Sequence, residues 1–406
     1  MSRILIVGAG IIGLSCAFEL VKDGHEVVVI DDQPENFRRC SWGNAGLIVP
    51  SHFIPLAAPG VVSSGVKMLA RKDSPFGFKF PPSRQLGAWM TEFGLNSNQA
   101  NVERFGKFIL DLNLASREIY TEWLNELPDF GFAHKGLWIL CQSRETLEHE
   151  RASSGQAKQM GLETRGLDRD GFVAELGIAA EILATIHYPC DAHLNPTMLI
   201  PALLAKLKSS GVEFHFSTKV TELKSQSVIT DSGEIFGDRI ILCAGAQVPD
   251  LLKRQRPKFK QVGGKGYSFP IPFESLPLPA PVLLVDARVA ITPMGEFTRI
   301  AGTMELGANL NEINEDRVQG IKNSVIAHFP QTEKVVREAN DIWAGLRPCE
   351  TRGVPVISPI PGHEHVILAT GHAMMGLSLG PVTGRIVRQL VAGEKPVVSI
   401  DPVLLN

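Results

Sequence analysis

Gly8-Ala9-Gly10-Ile11-Ile12-Gly13 fits the pattern G-x-G-x-x-G, and two acids, Asp31 and Asp32, follow about twenty residues later. Those residue types at that spacing suit the binding of a dinucleotide. Gly8 allows a tight turn, Gly10 lets backbone N–H groups reach a pyrophosphate, and Gly13 lets a helix pack closely on its strand. A carboxylate at Asp31 can accept hydrogen bonds from ribose hydroxyls. Near the other end of the chain, Gly371-His372-Ala373-Met374-Met375-Gly376-Leu377-Ser378-Leu379-Gly380-Pro381 precedes a helical pattern and offers further N–H donors to electron-rich oxygen. Arg347, in Gly345-Leu346-Arg347-Pro348, carries a guanidinium that can take a carboxylate through two parallel charge-assisted bonds.

Elements must hold these groups in place. The apolar run 4–7 predicts a buried parallel strand. Leu14, Ala17, Phe18 and Val21 recur at helical spacing, Gly24 ends that helix, and 27–30 predicts a second strand. The partial positive charge at the helix start then faces the phosphates. A later strand, 238–242, runs into Cys243-Ala244-Gly245-Ala246, a second strand-to-small-residue turn able to meet the same nucleotide. Ser41-Trp42-Gly43-Asn44-Ala45-Gly46 is small enough to lay backbone against a flat ligand. Residues 61–127 read as mostly helical, with amphipathic stretches at 85–93 and 102–127. Further helices are expected at 145–160, 198–210, 311–329 and 382–390. Strands are expected at 136–141, 212–216, 228–229, 234–236, 299–305 and 366–369. The proline- and glycine-rich 257–281 reads as a connector with one strand, 266–269.

The 406 residues allow about two domains. Hydrophobic content of 44%, charged content of 20% and a net charge of −3 fit an ordinary enzyme and give no reason to expect nucleic-acid binding. No run approaches the roughly 18 apolar residues of a membrane span. The apolar start is expected to be a strand and not a signal peptide. Six dispersed cysteines, with no C-x-x-C pair, read as free thiols in a reducing cytoplasm. His187, His193, His363 and His365 make no metal pattern, and no metal is expected.

Taken in this order, GAGIIG, SWGNAG, CAGA, RIAGTME, GLRP and GHAMMGLSLGP resemble the D-amino acid oxidase/dehydrogenase family of FAD-dependent oxidoreductases, in its bacterial D-amino acid dehydrogenase-like branch. The resemblance covers nearly the whole chain. It implies an α/β fold, with a Rossmann-like FAD domain of the two-dinucleotide-binding type interrupted by an α+β substrate domain with a mainly antiparallel sheet. The segments suggest 1–80, 192–250 and 340–406 for the FAD domain, and 81–191 and 251–339 for the substrate domain. By motif, Gly8, Gly10, Ile12, Gly13, Asp31 and Asp32 would hold the ADP half of FAD. Ser41, Asn44, Ala45 and Gly46 would line the pyrophosphate and ring, Val220 would meet adenine, and Ala244 and Gly245 would approach the cofactor. Gly371, His372, Met375, Gly376, Leu377 and Ser378 would bind the flavin edge where negative charge gathers on reduction. Arg347 matches the substrate-carboxylate arginine.

Tyr267 is expected to hydrogen-bond that carboxylate or cap the pocket, and His52 to border the active site; a satisfied core tyrosine and a loop histidine are the alternatives. Lys265 either faces the flavin or is solvated. His372 shapes the flavin loop and does not shuttle protons. Met374 and Met375 are packing residues, and Glu305 is a structural partner or a pocket residue. Cys349 lies where some relatives attach flavin covalently; a free thiol is the expectation here. The resemblance implies dehydrogenation of a D-amino acid or cyclic D-imino acid, such as D-proline or cis-4-hydroxy-D-proline. Hydride would pass to flavin N5, and electrons to a quinone or another non-nicotinamide acceptor. The location would be the cytoplasm, or the inner-membrane surface as a peripheral protein. A glycine or sarcosine oxidase releasing hydrogen peroxide, a flavin-binding module without turnover and a nicotinamide-dependent enzyme stay open as alternatives.

Overall fold

The computed structural model describes residues 1–69, 71–255 and 257–405. Arg3–Val7 and Glu26–Ile30 pair in parallel, with the helix Ile11–Val21 as the crossover between them. Glu213–His215, Arg239–Leu242 and His363–Thr370 extend this parallel set, and Val356–Ile360 closes one edge antiparallel. Past their polar first residues the central strands are apolar on both faces, because both are covered, as in doubly wound sheets.

The second sheet has nine strands and is mostly antiparallel. One edge of it is Trp343–Glu350 against Gln261–Pro272, followed by Phe297–Leu306. Trp343–Glu350 therefore belongs to this sheet, and the chain returns to the parallel layer only after residue 350, later than the boundary expected at 340. The long helix Gln99–Trp123 packs its apolar face against the nucleotide-side helices and shares their core. Residues 61–127 hold three helices, Val61–Met68, Arg84–Asn96 and Gln99–Trp123, with a short strand, Phe76–Phe78, between the first two.

Two elements differ in extent from the expectation. Gln261–Pro272 is a twelve-residue strand where proline and glycine suggested a connector. Its glycines are small because side chains of neighbouring strands lie across them, as described below. The last helix begins at Gly376, not 382, and runs to Ala392 with Pro381 inside it. Proline lacks the N–H that would serve the Leu377 carbonyl four residues earlier. The buried Tyr120 hydroxyl donates to that carbonyl instead, at 2.7 Å, so the helix continues through the proline.

Candidate active site

The three glycine-bearing turns leave the C-terminal ends of three adjacent parallel strands, Arg3–Val7, Arg239–Leu242 and His363–Thr370. This is the edge at which open α/β sheets bind ligands. The glycines divide into two kinds. Gly8, at φ +110°, and Gly13 are packed: a Cβ on Gly13 would lie 1.9 Å from the Gly8 carbonyl oxygen. Gly380 and Gly384 are packed too, against Ile11, Ser15 and Cys16, which sets the last helix closely against the first. Gly10, Gly245 and Gly376 face open space, where an added Cβ would meet no atom closer than 3.8 Å. Both helices start at the same end, and neither N-cap residue, Gly10 or Met375, caps with its own side chain. Apart from Ile11 N–H, which Ser41 Oγ accepts, their first-turn N–H groups and positive dipole ends form a cradle for an anionic, flat ligand, which fits a dinucleotide cofactor.

Around this cradle the polar contacts are specific. Asp31 accepts from Ala9 N–H (2.6 Å) and Gln33 N–H (2.9 Å), and Arg39 grips it with Nε and Nη2. No sequence motif marks Arg39, and it occupies the carboxylate that ribose hydroxyls would approach. Asp32 instead takes Gln247 Nε2 (2.9 Å). Ser41 Oγ accepts from Ile11 N–H, beside Ile12, and Asn44 Oδ1 accepts from Gly46 N–H, which fixes the turn through Ala45. Ala244 is half-buried, and the Gly245 carbonyl accepts from Gln261 Nε2. Val220 opens a strand just after Thr218, whose N–H donates to the Asp31 carbonyl.

At the last helix, Ser378 Oγ accepts from Val49 N–H and donates to Asn113 Oδ1. Gly371 takes a left-handed turn, at φ +77°. His372 Nε2 lies 3.0 Å from Thr383 Oγ1, whose own hydroxyl donates to the Leu379 carbonyl, so the imidazole N–H is the donor to Thr383. Its Nδ1 is buried without a partner, and burial pushes its pKa down to about 3. His372 is therefore a neutral brace for the turn. Met375 packs half-buried on the core, and Met374 is exposed.

Arg347 pairs with Gly264 across the ladder, and its guanidinium lies over Gly266, where a Cβ would come within 2.1 Å. Gly266 is thus bare beneath this side chain, while Gly263 lies under Leu346 and Gly264 under Met304 and Cys349. Arg347 Nη1 donates to the Thr303 carbonyl at 2.6 Å. Thr303 and Met304 bulge opposite Gly266, and Thr303 adopts φ +70°, a strained conformation for a β-branched residue, which aims its carbonyl. Among the described residues no carboxylate pairs with Arg347, and burial lowers its pKa. It is largely enclosed by protein yet keeps some accessible surface, as does Cys40 nearby. Cys349 is fully buried, and burial pushes its thiol up to about 12. A thiol held protonated is a poor nucleophile. In acid-precipitated holoenzyme the yellow colour is expected to stay in the supernatant; colour in the pellet would show a covalent bond.

Tyr267 falls on the other face of the strand. Residues alternate along it, so Gly264 and Gly266 face Arg347 while Lys265 and Tyr267 point away. The Tyr267 hydroxyl donates to Glu305 Oε2 (2.9 Å) and accepts from Asn314 N–H. Lys265 is buried, not solvated, and its ammonium donates to the carbonyls of Asn309 and Glu312. Tyr267 is thereby corrected from a carboxylate contact to a brace, and Glu305 is its structural partner. His52 joins Ser51 and the buried Asp191, a residue with no local motif to mark it. A groove of about 640 Å³ lies elsewhere, between the helix Arg144–Gln159 and the outer strands of the nine-stranded sheet.

A dinucleotide cradle beside a guanidinium with no carboxylate partner among the described residues fits a cofactor-dependent enzyme. Residues 3–390 match the family described as DAO, FAD dependent oxidoreductase, and the chain belongs to that family. It is an FAD-dependent oxidoreductase. It is 29% identical to a D-amino acid dehydrogenase of Helicobacter pylori strain J99 over 96% of this chain and 94% of that protein. A D-amino acid dehydrogenase of Vibrio atlanticus is 28% identical over 100% of this chain and 99% of that protein. In fold it resembles glycine oxidase from Geobacillus kaustophilus, with a TM-score of 0.80, 20% identity, and coverage of 100% of this chain and 99% of that one.

Proposed function

We propose that the protein is a dehydrogenase that oxidises a D-amino acid or cyclic D-imino acid and passes the electrons to a quinone or another acceptor that is not a nicotinamide. One observation carries the substrate class. Arg347 is an enclosed guanidinium with accessible N–H groups and no carboxylate partner among the described residues. Leaving such a charge unpaired is costly, so the site favours an anionic guest. An α-carboxylate supplies the charge and the two parallel acceptors. The D-configuration is supported by the names of the relatives above.

FAD, once bound, supplies the hydride acceptor. Gly10, Gly245 and Gly376 would lie against it, and the two helix starts would face its oxygens. Arg347 holds the substrate's carboxylate and so orients its α-carbon, while the surrounding enclosure excludes water. No helix among the described residues is long and apolar enough to cross a membrane, so a quinone would be met at a membrane surface.

The test is anaerobic reduction of the holoenzyme by a panel of D-, L- and cyclic amino acids, with D-proline and cis-4-hydroxy-D-proline included. Bleaching of the flavin by a D-form and not its L-form is expected, with turnover supported by a quinone analogue. No bleaching by any amino or imino acid would overturn the reading. Stoichiometric hydrogen peroxide in air would instead assign a glycine- or sarcosine-type oxidase.

A further inference from the structure

His52 follows closely on Val49, which is tied to the first turn of the last helix through Ser378 (3.1 Å). Its ring is enclosed by protein yet keeps accessible surface. Nδ1 lies 2.8 Å from Ser51 Oγ. Among the described residues Nε2 has no partner and, unlike the orphaned ring nitrogens of His193 and His372, it is not shut off from solvent-sized space. Ser51 in turn donates its hydroxyl to Asp191 Oδ2 at 2.5 Å and its N–H to Asp191 Oδ1 at 3.0 Å.

We infer that Asp191 and Ser51 position His52 as a fixed hydrogen-bond acceptor and that its open ring nitrogen lies within reach of the substrate, so that the enzyme selects substrates presenting an N–H or O–H donor there. The inference rests on the amino-acid reading above. Ionised Asp191 can only accept, so Ser51 must give it the hydroxyl proton. Ser51 Oγ is then free only to accept, which places the imidazole proton on Nδ1. The lone pair is left on Nε2, the ring nitrogen that is not shut off from solvent-sized space. Substrate donors reaching it would be the amino or imino N–H, or a side-chain hydroxyl.

The chain of bonds can reverse. The Asp191 carboxylate is completely buried, and burial raises its pKa to about 7. Ser51, the Cys190 thiol and the Arg117 guanidinium of the long helix, which bonds the Cys190 carbonyl, oppose that rise. Tyr188, on the strand leading to it, stays neutral because burial raises its pKa. Burial also lowers His52 to about 4, so the imidazole is neutral across this range. When Asp191 gains a proton its O–H donates to Ser51, Ser51 donates to Nδ1, and the ring proton moves to Nε2. The acceptor becomes a donor as pH falls through about 7.

Asp191→Asn fixes the reversed state, because its amide donates to Ser51. In holoenzyme it is expected to lose about a hundredfold or more in kcat/KM for flavin reduction at pH 8, and to lose the limb near pH 7. Ser51→Ala should behave similarly and Ser51→Thr should restore both, with FAD content unchanged. Nitrogen NMR of His52, assigned with a His52→Gln variant, reads the tautomer without substrate. Nδ1–H is expected at pH 8 in the wild type and Nε2–H in Asp191→Asn. Nε2–H in the wild type at pH 8, or a wild-type rate and pH profile in Asp191→Asn, would overturn the inference. A loss confined to cis-4-hydroxy-D-proline assigns the donor to the hydroxyl, and equal losses on D-proline assign it to the amine. A wild type bleached by no amino acid sinks the functional reading, and the tautomer measurement still decides the relay.

Discussion

Arg347→Leu is expected to lower kcat/KM for an amino acid by roughly three hundredfold to three thousandfold while leaving the apoprotein about as stable as before. The first figure follows from truncating one partner of a buried, hydrogen-bonded charge pair, at about 3.5–4.7 kcal/mol. The second follows from what surrounds the guanidinium. Among the described residues it has one protein bond, to the Thr303 carbonyl, and no carboxylate. Removing it abandons that bond, at about 1 kcal/mol, but also relieves the cost of an uncompensated buried charge. A structural ion pair would behave oppositely, with a clear fall in melting temperature. Arg347→Lys keeps the charge and loses the planar fork that lies over Gly266, so it should recover only part of the rate. Kinetics with a D-amino acid and its amide, alongside thermal unfolding of the apoprotein, check the expectation. The wild type should discriminate strongly against the amide, and the leucine variant hardly at all.

The parts of this site legible in the sequence are the local ones. GAGIIG, its strand and helix, and Asp31 lie within one βαβ unit, so spacing alone predicts their geometry. The second and third turns are legible as strand ends, although their convergence depends on the strand order of the parallel sheet. Arg347 is visible through its motif. Its most informative property, the absence of a carboxylate partner among the described residues, arises from packing among distant segments and leaves no local trace.

The misplaced residues share a physical cause: a residue type says nothing by itself of its face or its partner. Tyr267 is two residues from Lys265 and three from Gly264, and strand alternation puts both side chains on the face away from Arg347. The glycines around them have the composition of a loop, yet they form a strand crossed by neighbouring side chains, Gly266 by the guanidinium. Pro381 has the character of a helix breaker, but Tyr120, far off in sequence, supplies the missing donor. Asp191 and Ser51 are 140 residues apart and meet because Leu47–Ile48 pairs with Ala192–His193. A single sequence offers no periodicity from which that pairing could be read.

The two glycines of the opening motif should fail in different ways when each is replaced by alanine. At Gly13 the added Cβ would lie 1.9 Å from the Gly8 carbonyl oxygen and 3.3 Å from the Ile6 side chain. Backbone cannot retreat there without separating the first helix from its strand, so Gly13→Ala should cost about 3 kcal/mol of apoprotein stability. At Gly10 the backbone is extended, at φ −73° and ψ 177°, which alanine adopts freely, and the nearest atom is Ser41 Oγ at 3.8 Å. Gly10→Ala should therefore leave unfolding of the apoprotein within about 0.5 kcal/mol of wild type. Its methyl group would instead project into the open cradle and keep a pyrophosphate from the helix N–H groups. Loss of two such bonds to a charged group, at about 1.5–3 kcal/mol each, predicts at least a hundredfold weaker FAD binding. Denaturant unfolding of the apoproteins and fluorescence titration with FAD separate the two outcomes. Equal destabilisation of both apoproteins would mean that Gly10 is a packing glycine and that the cradle does not hold the cofactor at that point.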